Sequence, residues 1–491
     1  MQSGQLKTAI YRGTFWSLLD NFARQMITLL VFIVLARMLP PVLFGLLATA
    51  ILIVQGFKSI AFDSISTALV RKKAPTDADY STGFWMCLGL SLPAFLLLFV
   101  IAPYLESWAG AEGLSQVVRG VSLMILCNGL SRIHEARLTH QMDFRPLAIR
   151  SFLSVVAGGA VGIGMALNGY GVESLIAQQL VTSICEFILL WSLAKWMPSF
   201  TFSRDSFFEI LHYSKYVSAT ALTNFANQNS DIFFVTYYLG AAASGFYATG
   251  KRITNTLNIV ISTALMRVSL PAFSRLQDQD EELRRTYLHS TALTAMVTAP
   301  MFVGLAILSH DIVLVLLGEK WLPSVPVMQI ITIIGFLTSV GYYNQSIMLV
   351  KNKPQWQTRL ALLYAVTNVA AFMAFTRFGL IYTALAFSLR ALLLFPVSVW
   401  CAITLIGVHW RQYVAGLLPS IFAAASMAVF VVLAGTYMQH LLPFVRLIAL
   451  IPIGAVSYAV ILYFVMPFSY RELVLKSIAR YTGLPRSATS S

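Results

Sequence analysis

Residues Phe15 to Arg37 read FWSLLDNFARQMITLLVFIVLAR. The stretch is long and apolar enough to cross a hydrocarbon core as one helix, which takes about 20 predominantly apolar residues. Yet it carries Asp20, Asn21, Arg24, Gln25 and Thr28, and the last four are spaced i, i+3, i+4 and i+7, along one face of a helix. Polar and charged side chains inside a span turn toward protein or a wet cavity rather than lipid. The helix therefore belongs to a bundle. It does not read as a cleaved signal peptide, because it is long, carries charges and ends in LARMLPP without a small-x-small site.

Further apolar stretches lie near residues 43–66, 81–103, 115–135, 149–168 and 173–195, and eight more run from about 212 to 466. They predict an all-α polytopic membrane protein of about 14 transmembrane helices. Composition agrees, with 58% hydrophobic and 11% charged residues, where soluble domains carry ~25% charged residues. The longest intervening stretches, near 197–211, 271–285 and 310–325, are too short for folded domains and read as connectors. The net charge of +14 would point to nucleic acid on a soluble chain, but its placement gives another reason. With a cytoplasmic N-terminus, the even-numbered loops hold Arg71, Lys72, Lys73, Arg132, Arg137, Arg145, Lys195, Arg204, Lys215, Lys351 and Lys353 among others, whereas the odd loops hold Arg37, Lys320, Arg377 and Arg446. That is the positive-inside pattern, with both termini cytoplasmic and no nucleic-acid partner. Cys87, Cys127, Cys185 and Cys401 show no paired spacing, so no disulfide framework, metal site or cofactor is indicated. His134 and His140 read as a solvated basic turn at the membrane surface.

The opening stretch has an internal counterpart. DNFARQMIT (Asp20–Thr28) aligns with TNFANQNSD (Thr223–Asp231), and RMLPPVLFGLL (Arg37–Leu47) with YYLGAAASGFY (Tyr237–Tyr247), pairing Leu39 with Leu239 and Gly45 with Gly245. In the same order at the start of each half, these matches predict a parallel repeat: an N-lobe at 1–196 (helices 1–6), a cytoplasmic connector at 197–211, and a C-lobe at 212–405 (helices 7–12). Helices 13–14 at 406–467 and a cytoplasmic tail at 468–491 follow. Repeats of this kind place the substrate path at their interface.

The alignment also selects polar residues. Asn224, Asn227, Gln228 and Asp231 repeat the face formed by Asn21, Arg24, Gln25 and Thr28; Lys58 on the second helix aligns with Asn258, with Asn255 one turn before. Lys251 and Arg252 add two cations. A basic side chain at mid-membrane costs ~2.5–3.5 kcal/mol on insertion scales. Local pairing of Arg24 with Asp20, amide glue between helices and snorkelling to an interface each explain single residues. None explains why the cations gather on the same four helices. Together, Arg24, Lys58, Lys251 and Arg252 describe a cavity for an anion, the Asn and Gln residues suit hydroxyl-rich parts of the same ligand, and Asp20, Asp63, Asp231 and Glu186 are candidates for neutralising a cation or coupling an ion when the cavity is empty.

At this point the chain resembles the bacterial polysaccharide transporters, the Wzx-type repeat-unit flippases of the multidrug/oligosaccharidyl-lipid/polysaccharide exporter superfamily. The resemblance rests on RGTFWSLLDNFARQ, LARMLPPVLFGLLA, ARLTHQMDFRPLAIRS, GYGVESLIAQQL, LGAAASGFYATGKRI and LLGEKWLPSVPVMQI. It implies a two-lobed bundle that moves undecaprenyl-diphosphate-linked oligosaccharide across the bacterial inner membrane by alternating access, with no covalent chemistry. It also implies membrane lipids, a polysaccharide polymerase and export proteins as partners, and basic residues on helices one, two, seven and eight lining the cavity. Three other readings compete. A peptidoglycan-precursor flippase shares the lipid anchor, a cation-coupled multidrug antiporter would favour an acidic cavity, and a membrane glycan polymerase or ligase needs a long exposed loop that this chain lacks.

Overall fold

The computed structural model describes residues 22–466. In lipid every backbone N–H and C=O must be satisfied within the chain, which leaves helices as the solution for apolar runs of this length. The chain meets that condition with fourteen long helices: α1 (22–38), α2 (Pro41–Arg71), α3 (Asp77–Ala109), α4 (Leu114–His140), α5 (Arg145–Leu167), α6 (Val172–Ala194), α7 (204–239), α8 (241–275), α9 (Asp280–Leu316), α10 (Val325–Val350), α11 (Pro354–Phe375), α12 (Leu380–Ile406), α13 (Trp410–Tyr437) and α14 (Pro443–Val465). Eleven helices among the described residues are long and apolar enough to span a membrane. The three outside that group are α1, described over 22–38, and α7 and α8. Asp20, Asn21 and the tail at 468–491 lie outside the described residues.

Most helices overrun their apolar windows, so the connectors are shorter than the sequence predicts. The stretch near 197–211 reduces to 195–203 and that near 271–285 to 276–279. At the start of α3 a side-chain cap holds the extra turn. Thr76 and Asp79 form a capping box at the start of α3. The buried Asp79 also accepts from Ser206 Oγ at 2.6 Å and from Lys72 Nζ at 2.9 Å, and Lys72 reaches Glu209 at 2.8 Å. These contacts tie the α2–α3 connector to the first turn of α7. The two carboxylates hold the Lys72 ammonium above its usual pKa.

The chain divides into two compact units. The first holds residues up to Thr256, Leu316–Ile331 and Gln357–Arg390; the second holds Leu257–Val315, Thr332–Trp356 and the chain from Ala391 onward. In the second unit, Tyr287, Tyr343, Val399 and Tyr413 form part of a buried core, and Tyr287 Oη donates to Asn344 Oδ1 at 2.7 Å. Arg446, assigned from the sequence to an outer loop, begins α14 and grips Asp311 of α9 in a two-pronged ion pair.

In the first unit, α7 turns into α8 at a single residue, Gly240, with φ 82° and ψ 178°. This is a conformation that side chains disfavour. The turn between α1 and α2 falls at Leu39 and Pro40, the aligned place in the other half. Beyond the turns, α2 and α8 meet through their aligned glycines. A Cβ on Gly45 would collide with the carbonyl of Ala241, and one on Gly245 with the carbonyl of Pro41. The contact is reciprocal, since Pro41 and Ala241 are themselves partners in the alignment. One turn on, Thr49 Oγ1 and Thr236 Oγ1 are hydrogen-bonded at 2.7 Å. Trp321, from the LLGEKWLP motif, is fully buried against Phe32, Phe44 and Phe246, and its Nε1 donates to the carbonyl of Ala36 at 2.8 Å.

Candidate functional site

Asp231 and Lys251 face each other across the Gly240 turn. At 1.5 Å per residue they lie roughly 14 and 16 Å from it along their helices, about half the ~30 Å thickness of a hydrocarbon core. Lys251 Nζ donates to Asp231 Oδ2 and to the carbonyl of Gln228, both at 2.5 Å. Asp231 is 1% exposed, and its other oxygen accepts from the N–H of Ile232 at 2.9 Å. The α7 stripe therefore divides. Asn227 and Asp231 turn inward, with Asn227 accepting from Asn368 of α11 through its backbone and side-chain oxygens, whereas Asn224 and Gln228 are exposed.

Arg252 is held differently. Its guanidinium lies 4.3 Å from the centre of the Phe32 ring on α1, and among the described residues no carboxylate pairs with it. The ring face attracts the cation but does not cancel its charge. The neighbouring helix contact is Gln25 Nε2 donating to Thr256 Oγ1 at 3.1 Å, so two side chains of the opening stretch meet α8. Asn255 is exposed, and Asn258 accepts from Ser339 Oγ at 3.1 Å within the second unit.

A second charged cluster joins five helices of the first unit. Arg24 of α1 donates to Ser151 of α5 and pairs with Glu186 of α6 at 3.5 Å. Asp63 of α2 pairs with Arg132 of α4 at 2.9 Å; Arg132 also meets Glu135 at 3.0 Å, and Arg150 of α5 meets Glu135 at 3.2 Å. Lys58 lies within electrostatic reach of Glu135. Four cations here face three carboxylates. Lys58 opens a five-residue π-helical turn, Lys58–Phe62, inside α2. Such turns widen a helix locally and are frequent at functional sites.

Sequence reasoning missed part of this. It assigned Arg132 and His134 to a membrane-surface turn, but α4 continues to His140, and His134 is fully buried, stacked on Trp191 at 4.7 Å and edge-on to Trp196 at 5.1 Å. The basic stretch is helical because its apolar positions continue at helical spacing, a signal that a hydropathy average conceals. Arg390 was also overlooked. It is the one charged residue of α12, and a lone arginine in a 27-residue span is a signal that the repeat comparison passed by.

Comparisons with known proteins bear on the family and the fold. A family profile described as polysaccharide biosynthesis protein matches residues 34–326. The chain is 26% identical to the succinoglycan biosynthesis transport protein ExoT of Rhizobium meliloti, over 98% of this chain and 97% of that one. It is 24% identical to the teichuronic acid biosynthesis protein TuaB of Bacillus subtilis, over 86% and 88%. With the lipopolysaccharide biosynthesis protein WzxC of Escherichia coli it shares 22% identity over 84% and 85%. Among solved structures, the lipid II flippase MurJ in an inward closed conformation superposes with a TM-score of 0.74 at 16% identity, over 94% of this chain and 99% of that one. An inward-facing multidrug resistance MATE transporter gives 0.55 at 16% identity, over 81% and 96%. The fold is that of these polytopic membrane transporters.

Proposed function

This chain belongs to the polysaccharide biosynthesis protein family, and from that premise we propose that it is a flippase for undecaprenyl-diphosphate-linked oligosaccharide repeat units in the bacterial inner membrane. The observation that carries the reading is Arg252: a guanidinium inside a span, ordered by Phe32 and left without a carboxylate among the described residues. Such a group costs energy when the protein is empty and repays it when an anion arrives. A diphosphate is an anion of suitable size, and the exposed amides of Asn224, Gln228 and Asn255 offer donors and acceptors for sugar hydroxyls. Arg24 and Lys58 supply further positive charge from α1 and α2. No bond to the cargo need form, because two lobes built on helices 1–6 and 7–12 rock around it.

Asp231 is the ion-coupling residue in this cycle, with Asp20 and Asp63 as the other carboxylates available. It neutralises Lys251 in the empty carrier, gives up that contact for a proton or sodium as cargo binds, and regains it as cargo leaves. The peptidoglycan-precursor reading keeps a specific basis, since MurJ shares the fold; the relatives that match along most of the chain are instead named for exopolysaccharide, teichuronic acid and lipopolysaccharide synthesis. A polymerase or ligase is disfavoured by connectors that reach nine residues at most between described helices.

The test is translocation in proteoliposomes. Arg252→Ala should slow movement of undecaprenyl-diphosphate-linked oligosaccharide at least about tenfold, the loss expected for one hydrogen-bonded charge, and Arg252→Glu should slow it further. Wild-type rates in both variants would remove the anion site.

A further inference from the structure

We infer that Arg390 is a further ligand for the phosphate groups of the cargo, in a subsite that it shares with Lys251 across the ring of Phe387. The inference rests on the flippase reading and names a residue that the repeat does not reach. Arg390 lies ten residues into α12, roughly 15 Å from its start, at the same depth as Lys251 in α8. Its guanidinium carbon is 5.4 Å from the ring centres of both Tyr364 on α11 and Phe387 on α12. Two rings flank the group, and a ring face attracts the cation without accepting a hydrogen bond as an oxygen would. Its Nε is buried with no hydrogen-bond partner, and among the described residues no carboxylate neutralises it. A half-buried guanidinium flanked by two rings, with a buried Nε that lacks an acceptor, is suited to receive a planar pair of oxygens.

Lys251 reaches the same Phe387 ring from α8, at 5.9 Å, but is paired with Asp231. The two cations therefore differ in readiness. Arg390 is available at once, whereas Lys251 becomes available as the arriving oxygens compete with Asp231. A phosphate of the lipid diphosphate and a free phosphate have the same chemistry toward this pair, so the test must separate them.

The experiment uses the purified full-length chain in detergent and measures equilibrium binding of undecaprenyl diphosphate, inorganic pyrophosphate and undecaprenol. Arg390→Met keeps the length and apolar stem of the side chain while removing the charge; Arg390→Lys keeps the charge without the fork. We expect Arg390→Met to weaken undecaprenyl diphosphate binding about tenfold or more, Arg390→Lys to recover part of that loss, and undecaprenol binding to stay constant. The melting temperature of Arg390→Met should equal or exceed that of wild type, because an unpaired buried cation has been removed. Wild-type affinity for undecaprenyl diphosphate in Arg390→Met overturns the inference. So does a parallel loss of undecaprenol binding, which would make Arg390 a packing residue, or a loss confined to pyrophosphate, which would make the ligand a free anion. If Arg252→Ala weakens diphosphate binding and Arg390→Met does not, only the Arg390 subsite falls. If the wild-type chain binds no undecaprenyl diphosphate, the flippase reading falls as well.

Discussion

Lys251 and Asp231 are the residues at which charge, burial and function meet most closely. Removing the cation alone leaves a buried carboxylate uncompensated, a change that costs ~3–5 kcal/mol. Lys251→Ala should therefore lower the melting temperature in detergent, and the double variant Lys251→Met with Asp231→Asn should recover most of the loss. An unchanged melting temperature in the single variant would mean that the pair is not formed in the protein as purified. From sequence alone the four cations were legible, because a charge is conspicuous in an apolar run. Their partners were not. Lys251 and Asp231 are twenty residues apart, and only the turn at Gly240 brings them to the same depth; Arg24 finds Glu186 and Ser151 on helices more than a hundred residues away. Arg390 shows the cost of searching by repeat, because a residue without a counterpart in the other half is invisible to that method.

Among the elements, α2 and α8 show what the aligned glycines do. Each lets the backbone of one helix approach the first turn of the other, so adding a side chain at either place must push the pair apart. Gly45→Leu and Gly245→Leu should each destabilise the protein by about 1–3 kcal/mol, the usual cost of overpacking, and by similar amounts because the contact is reciprocal. Thermal unfolding of the two variants checks this, and a large loss in one with none in the other would contradict the reciprocal contact. At the other end of these helices, Lys72→Met should remove the cation that compensates Asp79 and cost about 1–3 kcal/mol at neutral pH. The raised pKa of Lys72 means that its contribution is complete below the unfolded value and is lost as pH rises through the folded one. Stability measured up to strongly alkaline pH should therefore show wild type and Lys72→Met converging. Helix existence was legible in the apolar windows. Helix ends were not, because caps such as Thr76 and Asp79 extend helices through polar sequence, and nothing in the KSIAF stretch announces a π-helical turn.

At the scale of the whole molecule, the aligned stretches carry turns at matching places and meet at Gly45 and Gly245. Basic residues at alternate connectors predict the sidedness. A periplasm-active reporter fused after Glu112 or Glu319 should give signal, and one after Lys73, Arg204 or Lys353 should not; signal at Lys353 would invert the topology of the second half. The proposed cargo, an anion with hydroxyl-rich parts, was suggested by cations that outnumber acids on the polar helices, but the sugar leaves no imprint that residue types alone disclose. The central claim is that the protein carries a lipid diphosphate, and the direct measurement is selectivity. The purified chain in proteoliposomes should be offered undecaprenyl-diphosphate-linked oligosaccharide, undecaprenol and a hydrophobic organic cation. The account predicts movement of the diphosphate-linked lipid, slowed by Arg252→Ala, with no acceleration of the other two. Transport of the organic cation without movement of the diphosphate-linked lipid would contradict it.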